Sequence, residues 1–382
     1  MNEAELDALR DHLAKRGQLP GPVEVGSALR SLGLLVTDSV VRQTVAALRR
    51  DSIGAGPLDP LLKRPGVTDV LVNGPDQVYL DCGAGLEPAG VSFEGEAEVR
   101  RLAVRLAATV GRRLDEGSPF VDARLPNGVR VHAVLGCVAD AGTCLSLRVP
   151  NRQRLTLADW LASGSLSAAA AELLAGLVAQ RRAFLISGGT GSGKTTLLAA
   201  LLGLVPAAER IVIAEDSREL QPDHPHCVRL EARPANAEGS GALTLTDLVR
   251  QALRMRPDRL VVGEVRGAEL ADLLSALNTG HEGGCGTVHA NSAADVPARL
   301  EALGALGGLS RDALHAQLGA ALQVLIHVRR LPDGRRWLDE VRLVSVDEAT
   351  GRCRTVPAVR FRSDASMVAG PGLATLRGLA GL

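Results

Sequence analysis

The stretch GGTGSGKT, Gly188 to Thr195, constrains this chain more than any other feature. Its spacing is G-x-x-x-x-G-K-[ST]. It follows the apolar run AFLIS (Ala183 to Ser187) and opens a helix-forming run at Thr195. A buried strand that turns through glycines directly into a helix belongs to an α/β layer. The turn also has a chemistry. Its four glycines let consecutive backbone N–H groups converge on one anion, and the helix N-terminus adds partial positive charge. Lys194 supplies a full charge toward the β- and γ-phosphates of a nucleotide, and the Thr195 hydroxyl can ligate Mg²⁺. Candidate nucleotide-binding residues are therefore Gly188, Gly189, Thr190, Gly191, Ser192, Gly193, Lys194, Thr195 and Thr196. Only three of the 43 basic residues are lysine, which makes Lys194 conspicuous.

Around this motif, short apolar runs alternate with helical ones. Ile211 to Ala214, Leu260 to Gly263 and Gly286 to His289 read as strands. Thr195 to Leu204, Thr246 to Met255 and Ala268 to Asn278 read as helices. Such alternation predicts a parallel-rich sheet with helices on both faces. A helix over Arg311 to Leu325 and a hairpin joining Val324–Val328 to Glu340–Val346 through Asp333–Arg336 complete a domain at 158–360. Residues 361–382 are Ala/Gly-rich and read as a flexible tail.

Upstream the pattern differs. β-Branched runs (Val67 to Asn73, Val78 to Leu80, Val129 to Leu135, Cys144 to Val149) are separated by turn clusters such as NGPD and PNG, with a helix over Glu96 to Val110. This predicts a smaller α+β domain over 51–150, then a linker at 151–157. Residues 1–50 read as short helices, through Leu6, Leu9, Leu13, Val41, Val45 and Leu48, broken at Gly17 to Pro22.

In parallel sheets, ligands bind at the carboxyl ends of strands. LVVGE places Glu264 there, and IVIAED places Glu215 and Asp216, with Glu219 just beyond. Glu264 and Glu215 are candidates to hold metal or activate water. Asp216 and Glu219 fit solvated loop acids equally well. His289 ends a strand at the same edge, where it could sense a γ-phosphate; His281 suits loop ordering as well as function. Arg124, Arg130 and Arg148 sit on apparent strands of the smaller domain. Each needs a counter-charge, from carboxylates or from a triphosphate.

Composition narrows the functional class. Lys+Arg 43 balances Asp+Glu 43, and aromatics are 2%. Both weigh against a nucleic-acid coat or a base-stacking platform. Six cysteines without a CxxC pair argue against a zinc or disulfide framework. No run approaches the ~20 apolar residues of a membrane span, and the charged N-terminus lacks a signal-peptide core.

Taken together, GGTGSGKTT, IAEDSREL, RPDRLVVGEVRG and TGHEGGCGTVHANS resemble the type II/IV secretion-system ATPase family. VTDVLVNGPDQVYLD and RRLDEGSPFVDARLPNGVRVHAV are similar to its tight-adherence (Flp pilus) and conjugal-transfer branch. The resemblance covers about residues 55 to 345. It implies a RecA-like P-loop ATPase domain behind a smaller N-terminal domain, using ATP and Mg²⁺. It implies Walker A at 188–196, an aspartate box with Glu215, Asp216 and Glu219, and a Walker B ending in Gly263 and Glu264, the latter reaching Mg²⁺ through water. It further implies a histidine box with His281 and His289, and nucleotide-closing Arg124, Arg130 and Arg148. The expected setting is a homo-oligomer, a hexameric ring, at the inner face of the cytoplasmic membrane beside a platform protein, with no sequence-specific nucleic acid. The family's tetracysteine zinc module has no counterpart. A nucleic-acid-translocating RecA-like ATPase and a non-hydrolytic assembly scaffold are the competing readings.

Overall fold

The computed structural model describes residues 9, 21–34, 36–42, 44–45, 54–83, 85–150, 154–233, 235, 240–331, 334–362, 364 and 366–382. The chain divides into two compact units, Met1–Asn151 and Arg152–Leu382.

In the first unit, α1 (Pro22–Ser31) packs Val25, Ala28 and Leu29 against Leu9 and Val45 in a small cluster of its own. The sequence places a break at Pro22; the structure places a helix start there. Proline at the first helical position loses no hydrogen bond, because that N–H has no intrahelical partner. Leu6, Leu13, Leu48 and residues 151–153 of the expected linker lie outside the described residues.

The rest of this unit is a six-stranded sheet in the order β3-β2-β1-β6-β5-β4. The strands are β1 (Asp69–Asn73), β2 (Val78–Asp81), β3 (Leu86–Pro88), β4 (Phe120–Arg124), β5 (Arg130–Val134) and β6 (Cys144–Arg148), and every pairing is antiparallel. Strand side chains alternate sides. Val70, Val72, Val121, Val131, Leu145 and Leu147 therefore join one core with Val99, Leu102 and Leu106 of α2 (Glu96–Thr109). The opposite face of β4, β5 and β6 is largely polar. Glu96 ties the start of α2 to the β5–β6 turn by accepting from Thr143 N (2.8 Å) and Thr143 Oγ1 (2.5 Å).

The second unit is built on a nine-stranded sheet in the order β15-β14-β13-β12-β7-β11-β10-β8-β9. The strands β7 (Phe184–Gly188), β8 (Ile211–Glu215), β9 (Cys227–Glu231), β10 (Arg259–Val265), β11 (Cys285–His289) and β12 (Val324–Arg330) run parallel. The strands β13 (Arg336–Asp347), β14 (Arg352–Phe361) and β15 (Met367–Ala369) extend it antiparallel, so the sheet is mixed.

Both faces of the parallel part are covered, which is why β7 and β8 are apolar at nearly every position. On one face Phe184, Ile186 and Ile213 pack with α3 (Leu157–Ala162), α4 (Ala168–Ala179), α5 (Lys194–Leu202) and α10 (Leu373–Ala380). On the other, Leu185, Val212 and Val262 pack with α6 (Leu245–Leu253), α7 (Glu269–Leu277), α8 (Val296–Leu306) and α9 (Arg311–Ala321). Ser/Thr side chains cap α3, α4, α6 and α9, and Thr156/Asp159 and Thr244/Asp247 form reciprocal capping boxes.

Two expectations are corrected here. The helix expected to reach Leu325 ends at Ala321, because Val324 to His327 pair with Phe184 to Ser187 as a central strand. Residues 367–382 are not a loose tail. β15 pairs with β14, and Leu376 and Ala380 of α10 are buried against the core. A Cβ on Gly176 of α4 would lie 2.4 Å from Ala380 O, so a small residue permits the close crossing.

Candidate active site

The carboxyl edge of the parallel strands collects the chemistry. β7 ends at Gly188, opposite His289 of β11. The chain then turns through Gly191 (φ +70°) and Gly193 (φ +95°), left-handed conformations that glycine adopts without steric cost, and enters α5 at Lys194. Ser192 Oγ donates to Gly189 O (2.9 Å) and stiffens the loop. Thr195 and Thr196 are half-buried in the first turn of α5, while Thr190 is exposed on the loop.

Lys194 is 7% exposed. Its Nζ donates to Gly188 O (3.0 Å), Gly189 O (2.9 Å) and His289 Nδ1 (3.2 Å). Burial pushes its pKa down, against an upward pull from Glu264. Since Lys194 has only protons to give, His289 Nδ1 accepts, which assigns the ring proton to Nε2. That nitrogen lies 3.0 Å from Glu264 Oε1. Burial and the Lys194 charge hold His289 below the ordinary histidine pKa, which favours the neutral ring.

Glu264 is thus the middle of a chain. Its Oε2 accepts from Arg266 Nη2 at 2.5 Å. Its Oε1 faces His289 but has no aligned hydrogen bond, despite being buried. Glu215, 3% exposed, resembles it. Oε1 accepts from the N–H groups of Glu219 (3.0 Å) and Leu220 (2.9 Å), and Oε2 is buried without a partner. Burial raises the Glu215 pKa to about 7, the two backbone donors notwithstanding. Buried acceptor oxygens without donors are costly. Glu215 Oε2, which has no donor, and Glu264 Oε1, which has no aligned one, fit a site that receives water or a hydrated cation, and Thr195 adds a hydroxyl. The donor set suits Mg²⁺, a hard ion that keeps most of its waters.

The Gly-Glu ending of β10 has a steric reason. A Cβ on Gly263 would lie 2.5 Å from Glu215 Cγ. Glycine at 263 therefore makes room for one acid, and position 264 supplies the other. Asp216 and Glu219 are exposed at the same edge, and both raise the pKa of Arg266.

Sequence reasoning passed over Arg266. Its position two residues after Glu264 was the available signal, since period two returns a strand side chain to the same side. Of the two roles open to His281, the structure shows the contact of a loop-ordering residue. It precedes β11, whereas His289 ends it, and Cys285 to His289 span about 13 Å of strand. His281 instead hydrogen-bonds Ala276 O at the end of α7 (3.3 Å), the loop-ordering role.

In the other unit the register brings the three arginines into one row. Arg124 is directly opposite Arg130, and Arg130 directly opposite Arg148. Like charges so placed repel. Asp69 holds Arg148 (3.1 Å) and Asp122 approaches Arg130 (3.5 Å), both at the surface.

The sequence profile of the family described as type II/IV secretion system protein matches residues 51–361. The chain belongs to this family. A Mycobacterium tuberculosis (strain H37Rv) protein named for conjugal transfer is 56% identical over 328 residues, covering 84% of this chain and 93% of that one. The type IV secretion system protein VirB11 of Brucella suis biovar 1 is 31% identical over 283 residues, covering 67% and 78%. The Legionella pneumophila ATPase DotB shares the fold, with a TM-score of 0.52 at 19% identity, covering 76% of this chain and 80% of that one. Among the described residues no helix is long and apolar enough to cross a membrane.

Proposed function

We propose that the second unit is a RecA-like motor domain that hydrolyses ATP to ADP and phosphate, and that this drives pilus assembly, secretion or conjugal transfer. The carrying observation is the buried Lys194, held at the mouth of the glycine loop, hydrogen-bonded to His289, whose other ring nitrogen lies 3.0 Å from Glu264. Thr195, and Glu264 through water, would hold Mg²⁺, which when bound neutralises charge on the β- and γ-phosphates. Lys194 and the loop N–H groups bind and orient the triphosphate. Glu264 and Glu215 orient the attacking water and accept its proton. The row Arg124, Arg130 and Arg148 supplies further positive charge to the γ-phosphoryl group as its bond opens. Loss of that group frees His289 and the arginines, and the resulting change of shape is the power stroke.

The same reading assigns a hexameric ring working on a platform protein at the inner face of the cytoplasmic membrane. The family match, the relative named for conjugal transfer and VirB11 support it. The test is Lys194→Ala: ATPase activity is expected to fall at least ~100-fold, given the weight of one charge at a transferring phosphoryl group. Wild-type turnover in that variant would reject the assignment.

A further inference from the structure

The mechanism above leaves one guanidinium at the loop unexplained. β12 is parallel to β7, with His327 opposite Ser187. Its last residues therefore run past the sheet edge beside the glycine loop, and β13 returns with Arg336 directly opposite Arg330. The Arg336 side chain lies back on the loop itself. A Cβ on Gly193 would come within 2.7 Å of Arg336 Cδ and 3.2 Å of Trp160 Cη2.

Three observations mark this spot as unfinished. Arg336 is half-buried, yet among the described residues it has no ion pair and no side-chain hydrogen bond. Its cross-strand neighbour is the like charge of Arg330; burial first, and that repulsion second, push the Arg336 pKa down. The indole against the same glycine is 3% exposed, and its Nε1–H is buried with no acceptor. A half-buried cation facing another cation costs stability unless an anion joins them.

The topology says which part of a ligand would reach it. Glu264, His289 and Glu215 come from β10, β11 and β8, all on one side of β7 in the strand order. The hairpin of β12 and β13 is on the other side. A triphosphate held by the loop with its reacting end toward the acids must send its nucleoside end toward the hairpin. We propose that Arg336 is a nucleotide-binding residue, seated on Gly193 and contacting the α-phosphate and ribose end of a bound nucleoside di- or triphosphate. This rests on the ATPase reading and adds to it a residue outside the four motifs.

The test uses the full chain, with MgADP, a non-hydrolysable MgATP analogue and steady-state ATP hydrolysis. Arg336→Gln is expected to weaken both nucleotides by about tenfold, the size of one charge-assisted hydrogen bond. The contact exists before and after the reaction, so the effect falls on KM rather than kcat. Arg336→Lys recovers part of the affinity. Nucleotide-free Arg336→Gln melts at or above the wild-type temperature, because an unpaired charge has been removed; a purely structural arginine would lower it. Wild-type affinity for both nucleotides in Arg336→Gln overturns the proposal, as does a kcat loss at unchanged KM. If the wild-type binds nucleotide, Lys194→Ala does not, and Arg336→Gln matches wild-type, only the role of Arg336 falls. If the wild-type binds no nucleotide, the ATPase reading falls and this inference with it.

Discussion

Gly263 and Glu215 make sense only as a pair. Glu215 stacks where a Cβ on Gly263 would be, 2.5 Å from its Cγ. Gly263→Ala must therefore displace an acid held by two backbone N–H groups. We expect a loss of about 1–3 kcal/mol of stability in urea denaturation, the range for overpacking, with at least a tenfold loss of turnover; unchanged values for both would show that Glu215 can move freely. Glu215 also makes a pH prediction. Its folded pKa of about 7 is above its ordinary value of 4.5. The folded state thus binds more protons than the unfolded state between those values, and stability falls as pH rises through that window. The shift corresponds to roughly 3 kcal/mol. Glu215→Gln should be more stable than wild-type at pH 8.5 and about equal to it at pH 4.5, as measured by denaturation midpoints. An equal difference at both pH values would contradict the burial argument.

At the scale of elements, the docking of α10 is what the sequence concealed. Alanine and glycine carry little hydrophobic signal, yet they are the residues that let helices approach closely, as Gly176 does beneath Ala380. Leu376 is 0% exposed there, and Arg182 Nε donates to Leu379 O at 3.0 Å. Leu376→Ala should cost about 2–5 kcal/mol, the range for a buried leucine; a loss below 0.5 kcal/mol in urea unfolding would mean that α10 is dispensable. Local patterns were otherwise informative. Strand, glycine loop and helix at 184–202 could be read directly, because each is encoded within a few residues. What could not be read was set by distant pairing. Leu325 joins the sheet because Leu185 is its partner, not because its own neighbourhood favours a strand. His281 and His289 are eight residues apart in one glycine-rich segment, and only the strand between them shows that they face opposite edges. Glu264 and Glu215 could be placed at strand ends from sequence, but the Arg266 contact and the steric tie to Gly263 depend on side chains from several elements meeting.

At the scale of the whole molecule, the proposed reading gives the arginine row of the first unit a part in the reaction, and that part can be tested. Opening a γ-phosphoryl bond spreads negative charge over its oxygens, and a motor must neutralise it only when ready to fire. At the loop edge Lys194 is the cation proposed to bind the phosphates, and Arg266 is paired with Glu264. Arg336 lies on the side proposed for the nucleoside end. The arginine row of the first unit is the proposed further source of charge, and the β4–β5–β6 register places its members side by side despite their repulsion. Asp69 and Asp122 pair with Arg148 and Arg130 at the surface, where such pairs contribute about 0–1 kcal/mol. Those contacts are weak enough to exchange for phosphate. Arg130→Ala with Arg148→Ala in one chain should therefore lower kcat by about 10³-fold, as loss of an arginine finger does, while MgADP affinity changes less than about threefold, since ADP lacks the γ-phosphate. The thermal midpoint should barely move, because the lost ion pairs are exposed. Wild-type turnover in the double variant would assign the row to something other than the triphosphate, whereas a parallel loss of MgADP binding would place these arginines on the β-phosphate.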